Sequence, residues 1–215
     1  MKIDLHVHIH RTSRCAKEEP EQMAKQALSC GINGLVIFDH NYQSTKEECQ
    51  KTEELVKGVK LFRGIELNVC EDDVVIISSH TIPFAPKYKE KVTDLKMLAD
   101  WINKTDSLAI LAHPFRRHDV SFDFGIFKPH ATELASRHVV RENRDKIAEM
   151  AKRFDMKVVS VSDAHKASQL GGFCINTDYD VNNEQELIEV VKCGKFTLME
   201  KSLVPLCVYA RNEHF

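Results

Sequence analysis

The stretch Lys2-Ile3-Asp4-Leu5-His6-Val7-His8-Ile9-His10 constrains this chain more than any other. Ile3, Leu5, Val7 and Ile9 alternate with Asp4, His6, His8 and His10, the period of a β-strand with two unlike faces. The polar face carries three imidazoles and a carboxylate, an unusual set for a surface merely wetted by solvent. Imidazoles two residues apart on a strand project the same way, so His6 and His8 can grip one metal centre. Asp4 can then accept a hydrogen bond from a ring nitrogen that is not ligating. The competing reading is a polar edge strand with incidental histidines, and this stretch by itself leaves both open.

Composition narrows the setting. A chain of 215 residues is most simply one domain and buries enough surface to fold without cross-links. The net charge of −2 creates no large field to attract nucleic acid or a membrane, so any nucleic-acid contact would be local. No apolar run reaches spanning length, and no signal-peptide core opens the chain. The seven cysteines are odd in number and form no CxxC pair, which points to reduced thiols, a cytoplasmic setting, and neither a disulfide framework nor a zinc ribbon.

Taken in order, strands and helices alternate. Residues 21–30 form a helical pattern stopped by Gly31, and 35–38 a buried strand ending at Asp39-His40. A helix is predicted over 44–56, with Ser44 as its cap, then a strand over 60–66 ending at Glu66. Residues 73–79 read as a strand ending at His80, and 92–103 as a helix. The strand 108–112 ends at His113-Pro114, and a short one over 131–134 contains Glu133. A helix over 139–154 precedes a strand over 157–161, followed by Ser162-Asp163-Ala164-His165. The tail holds a helix over 184–192 and short strands near 196–199 and 205–209. Such alternation predicts parallel strands joined by helical crossovers. About seven strands are close to what a closed α/β barrel needs, with an open doubly wound sheet as the competitor.

The residues at the predicted strand ends carry the chemistry. In order they are His8, His40, Glu66, His80, His113, Glu133, and Asp163 with His165. In a parallel barrel these ends converge on one face. Any one histidine is more often structural than ligating. Together, imidazoles and carboxylates crowded at one end would need partners or severe pKa shifts, and divalent metals supply those partners. The set exceeds what one tetrahedral site uses, so it implies two or three metals. Mixed nitrogen and oxygen donors suit Zn, Mn or Fe better than Mg or Ca.

Asp4-Leu5-His6-Val7-His8, Phe38-Asp39-His40, Gly64-Ile65-Glu66, His113-Pro114 and Ser162-Asp163-Ala164-His165 resemble the successive motifs of the PHP family, the polymerase and histidinol phosphatase domain. The resemblance runs from residue 1 to about 176, leaving 177–215 as a closing segment of a single PHP-type domain. It implies a distorted seven-stranded (β/α)7 TIM-like barrel with a two- or three-metal phosphoesterase site at the C-terminal ends of the strands. The ligands it implies are His6, His8, His40, Glu66, His80, His113, Asp163 and His165. Asp4 and Asp39 would orient the histidines, Asp39 thereby serving catalysis. One departure stands out: the family usually has a further Asp or His shortly after the HxH. Here 10–15 contains no carboxylate, so Cys15 or His10 would substitute, or a third metal would be weak or absent. A thiolate ligand would favour Zn or Fe over Mn.

The implied activity is hydrolysis of a small phosphomonoester, such as a nucleotide, sugar or histidinol-type phosphate, by a metal-bridged hydroxide. Arg116 and Arg117, directly after His113-Pro114, are the best candidates to hold the phosphoryl oxygens, with Arg11 and Arg14 weaker ones. His10 or His118 could protonate the leaving oxygen. Three other functions compete. The polymerase-associated members imply a nuclease, which the near-neutral charge disfavours. A non-catalytic metal-bound module would show degenerate motifs. A hydrolase of C–N bonds shares the HxH opening but lacks the SDAH ending. Substrate identity lies in the strand-end loops, above all 115–128, which carries no readable pattern.

Overall fold

The computed structural model describes residues 1–10, 15–40, 42–84 and 90–201. The alternating strands and helices form one ten-stranded sheet that curls into a nearly closed barrel. The strands are β1 (Lys2–His8), β2 (Gly34–Asp39), β3 (Tyr42–Gln43), β4 (Lys60–Val69), β5 (Asp72–Ile77), β6 (Leu108–Leu111), β7 (Ala131–Ala135), β8 (Lys157–Ser160), β9 (Phe173–Asn176) and β10 (Thr197–Glu200). The helices are α1 (Pro20–Ser29), α2 (Lys46–Leu55), α3 (Leu95–Lys104), α4 (Arg144–Arg153) and α5 (Glu184–Cys193). The order around the sheet is β10-β9-β1-β2-β4-β5-β6-β7-β8, with β3 on the side of β2. The Ser160 hydroxyl donates to the Met199 carbonyl at 2.8 Å, stitching β8 to β10 across the remaining seam.

Nine strands lie on this path, against the seven expected. The short β9 and β10 form an antiparallel pair on the edge of β1. A second difference matters more for the site. The strands β1, β2 and β4 are parallel, as are β6, β7 and β8, but β5 runs antiparallel to both β4 and β6. A two-residue turn at Cys70-Glu71 joins β4 to β5, and no crossover helix fits there. The first residues of β5, not the last, therefore stand at the face where the parallel strands end.

Three apolar clusters hold the sheet. Ile3, Leu5, Phe38, Phe62, Ile110 and Val159 fill the barrel, and α5 adds Leu187, Ile188, Val190 and Val191 to the same cluster. Outside, α1 presses Met23, Ala24 and Ala27 against Val7, Ile9, Leu35 and Ile37. The α3 and α4 residues Leu98, Ile102, Met150 and Ala151 pack on Ile65, Ile76 and Ala109. The opening strand thus does not keep one apolar face throughout. Its register shifts between Asp4 and Val7, so Ile3 and Leu5 join the interior while Val7 and Ile9 face α1.

Helix boundaries follow the sequence closely. Thr45 rather than Ser44 caps α2, accepting from the Glu48 amide at 3.2 Å while Glu48 reaches back to the Thr45 amide. The helix expected over 139–154 starts at Arg144, after a short 3-10 turn over Arg141–Asn143. The strand expected near 205–209 lies outside the described residues. The six cysteines among the described residues are all unbridged. No helix of those residues is long and apolar enough to cross a membrane.

Candidate metal centre

Hydrogen bonds between strand ends assemble the site. The end of β1 is tied to the loop after β8: the His8 amide donates to the Ala164 carbonyl at 2.9 Å, and the Ala164 amide to the His6 carbonyl at 3.3 Å. Asp4, fully buried, accepts from the Ser162 and His6 amides at 3.0 and 3.3 Å. His6 and His8 are thereby set beside Asp163 and His165. His40 and Glu66 face each other across a parallel bridge. Gly64 permits that approach, because a Cβ there would lie 2.9 Å from Val36 and 3.0 Å from Phe38. Asp163 has φ near +51°, a left-handed turn that costs about 1 kcal/mol for a residue with a side chain.

The polar atoms converge. His6 Nε2 lies 3.1 Å from His8 Nε2 and 3.2 Å from Asp163 Oδ1. His8 Nε2 is 3.3 Å from the same Asp163 oxygen and 3.4 Å from Glu66 Oε2. His40 Nδ1 is 2.8 Å from Glu66 Oε2, and His113 Nε2 is 3.6 Å from Glu66 Oε1. His165 stacks on His8 with ring centroids 4.0 Å apart. Three groups of potential ligand atoms result: His6, His8 and Asp163; Glu66, Asp73 and His113; and His8, Cys15, His40 and His165.

Two observations test whether a cation fits this donor set. First, Glu66 Oε2 and Asp163 Oδ1 are buried and make no hydrogen bond of proper geometry, although imidazole nitrogens surround both. An ion so placed without compensation costs several kcal/mol. Second, the His6 tautomer is fixed from behind. Glu133 Oε1 is 2.6 Å from His6 Nδ1, which therefore carries the proton and donates it, leaving Nε2 with a lone pair toward His8. Two such nitrogens at 3.1 Å repel unless a cation or proton lies between them. The residues present fit divalent metal ions.

The titration of these groups has the same origin. Burial opposes charge on His6, but Asp163 and Glu133 override it and hold the imidazole up to about 10. Burial likewise opposes charge on His40, and Glu66 with Cys15 raises it to about 12. Burial would push Glu66 and Asp163 up. The imidazoles facing them, His40 and His8 on Glu66, His6 and His138 on Asp163, hold both well below the usual carboxylate range. Burial also works against ionised Cys15, yet hydrogen bonds with His40 and His8 bring it down to about 6. Protons here occupy positions that cations would compete for.

Seven of the eight ligands expected from the sequence, His6, His8, His40, Glu66, His113, Asp163 and His165, meet at this end of the barrel. His80 does not. It follows the antiparallel β5, lies exposed away from the three groups, and its carbonyl accepts from Gln43 at 3.1 Å. Asp73, at the start of that strand, takes the place expected of His80, with its carboxylate 3.9 Å from His113 Nε2. Burial, followed by the nearby Glu66 charge, raises the Asp73 carboxyl. His138 is a second residue that strand-end reasoning passed over. Its Nδ1 meets Asp163 Oδ2, from the loop three residues past the end of β7. Asp39 accepts from the His40 amide at 2.8 Å and from the Cys15 thiol at 3.7 Å.

Arg116 and Arg117 are exposed and, with Asp73, His113 and His118, line a small cavity of about 20 Å³ beside the site. His118 is held by the Asp119 and Glu71 carbonyls, at 2.8 and 3.1 Å. His10 is exposed, with its Nδ1 3.2 Å from the Ala16 carbonyl. Arg11 and Arg14 lie outside the described residues.

A PHP-associated family model (PHP_C) matches residues 141–196. No curated protein shows significant similarity to the chain. Among solved structures, PsfC from Pseudomonas syringae PB-5123 aligns with a TM-score of 0.66 at 15% identity, over 94% of this chain and 92% of that one. A two-domain protein from Bacteroides vulgatus ATCC 8482, containing a predicted PHP-like metal-dependent phosphoesterase, aligns at 0.69 and 15% identity, over 94% of this chain and 65% of that one. Endonuclease Q, in complex with a 27-mer duplex carrying an abasic lesion, aligns at 0.66 and 18% identity, over 89% of this chain and 56% of that one. At these identities the alignments establish the shared barrel. The matched PHP-associated region and the motif series along β1, β2, β4, β6 and the loop after β8 are similar to those of the PHP domain family.

Proposed function

We propose that the chain is a metal-dependent phosphoesterase that hydrolyses a small phosphomonoester at this centre. The observation that carries the reading is the pair of buried carboxylate oxygens, Glu66 Oε2 and Asp163 Oδ1, aimed without hydrogen-bond partners into a ring of imidazoles. Divalent metals held by such donors would draw charge from a phosphoryl group, a common substrate for centres of this kind.

His6, His8 and Asp163 would hold one metal, and Glu66, Asp73 and His113 a second. Cys15, His40 and His165 are the residues for a third. When bound, the metals would acidify a water and draw charge from the phosphoryl oxygens. The chain's own residues supply the rest. Glu133 keeps the His6 lone pair directed inward and also accepts from the His113 amide at 2.9 Å, so one carboxylate aligns two ligands. Arg116 and Arg117 would take the remaining phosphoryl oxygen and the negative charge that develops in the transition state. His118, whose ring nitrogens face the Asp119 and Glu71 carbonyls, would have to give up one of these hydrogen bonds to protonate the leaving oxygen.

A second reading keeps the same chemistry on a nucleic-acid end. It draws on the fold shared with Endonuclease Q, which is described with a duplex substrate. The charge of −2 and the small cavity at the arginines favour the monoester.

The test is the variant pair His8→Ala and Asp163→Ala. Each is expected to keep its circular dichroism spectrum while losing bound metal and at least about a thousandfold of phosphomonoester turnover. Undiminished turnover in either variant would contradict the reading.

A further inference from the structure

A second cavity adjoins the metal end, and nothing in the proposed chemistry uses it. It has a volume of about 360 Å³ and lies between the 115–124 loop and the outer face of α4. That volume falls in the range of small-ligand sites. Its apolar wall is aromatic: Phe115, Phe124 and Phe154, with Val120 and Met150 between them. Phe124 and Phe154 stack with centroids 4.1 Å apart and planes 15° from parallel. Two cations cover ring faces of the same wall. Lys146 Nζ stands 4.0 Å above the Phe115 ring, and the Arg153 guanidinium 5.2 Å from the Phe154 centroid.

The backbone ties this cavity to the metal end. His113 and Phe115, on either side of Pro114, both have positive φ, near +26° and +61°. Positive φ is uncommon for any residue with a side chain and rarer still for a bulky one. Strain of this kind persists only where the surroundings enforce it. Here the Asn143 side chain holds the Phe115 carbonyl at 3.1 Å. The strained turn sends His113 toward Glu66 and Asp163 and places Phe115 on the wall of both cavities. A molecule whose phosphate meets Arg116 would therefore have its remainder beside the ring wall.

We infer that this cavity seats the aromatic base of a nucleotide, which makes a nucleoside the leaving group. The inference rests on the phosphoesterase reading and names its substrate class. A base has two π-faces for the phenylalanines and polar edges for the charged rim, where Asp119 and Glu149 stand among the cations. A sugar phosphate offers no face to stack on these rings. Stacking of a base on one aromatic side chain typically changes affinity about tenfold or more.

The experiment compares a nucleoside 5′-monophosphate with ribose 5-phosphate, using wild-type protein and the variants Phe124→Leu and Lys146→Met. The second variant changes an exposed side chain and guards against a folding defect in the first. Wild-type protein is expected to favour the nucleotide at least about tenfold in kcat/KM. Phe124→Leu should cut that preference about tenfold, chiefly through KM, and Lys146→Met should reduce it less. Equal use of the two substrates by wild-type protein, or an equal loss for both in Phe124→Leu, would overturn the inference. If wild-type protein turns over neither ester, the parent reading fails by itself. Calorimetric titration with adenosine then decides the cavity: binding that weakens in Phe124→Leu supports it, and no binding overturns it.

Discussion

Strand β1 ends in histidine and β5 is followed by His80, and the two histidine-bearing ends meet opposite fates. The β1 strand runs parallel to β2, so His6 and His8 arrive at the barrel face where Glu66, His113 and Asp163 also arrive. The β5 strand runs against its neighbours, so its last residues leave that face and its first, Asp72 and Asp73, enter it. Strand direction, not the presence of a histidine at a strand end, decides which side chain reaches the site.

The comparison can be broken with two variants. Asp73→Asn should weaken metal retention and turnover by roughly ten- to a hundredfold, the usual effect of disturbing one member of a ligand set. His80→Ala should leave both within about twofold, as for an exposed residue away from the site. Elemental analysis beside phosphate release reads both effects, and the reverse order would return His80 to the centre.

The same contrast explains what the sequence revealed. The parallel strands were legible because each is a short apolar run ending in a polar residue, and the ends point one way whatever the loops do. His40, Glu66, His113 and Asp163 could be named on that ground. The antiparallel β5 was not legible, because periodicity carries no information on direction. Only the brevity of the connection between β4 and β5 hinted at it: Cys70-Glu71 is too short for a crossover. His138 escaped for a different reason. Strand-end reasoning stopped at Glu133, within β7, although a histidine stands just beyond that strand. The register shift in β1 was invisible as well, since the strict alternation of Ile3 through Ile9 gives no sign that the strand changes which cluster it feeds.

A smaller contrast lies within the centre. Glu66 and Asp163 are almost fully buried, whereas Cys15, His40 and His165 stand nearer solvent and include a sulfur. The Cys15 thiol lies 4.0 Å from His8 Nδ1. Cobalt-substituted protein should therefore show a thiolate-to-metal charge-transfer band, and Cys15→Ser should remove it while turnover falls about tenfold or less. A band that persists in the variant would take the sulfur out of the coordination.

Arg116→Ala is expected to act on the substrate and spare the metal. Exposed and outside the ligand set, it should lower kcat/KM by about ten- to a hundredfold with metal content unchanged. Metal loss in this variant would move Arg116 from the substrate to the centre.

The most direct measurement titrates metal into chelator-treated protein while following phosphate release from a phosphomonoester. Turnover should be absent without metal, rise with added Mn, Zn or Fe, and level off at two or three equivalents per chain. Full turnover in the chelated protein, or saturation with metal and no release of phosphate from any ester, would contradict the account.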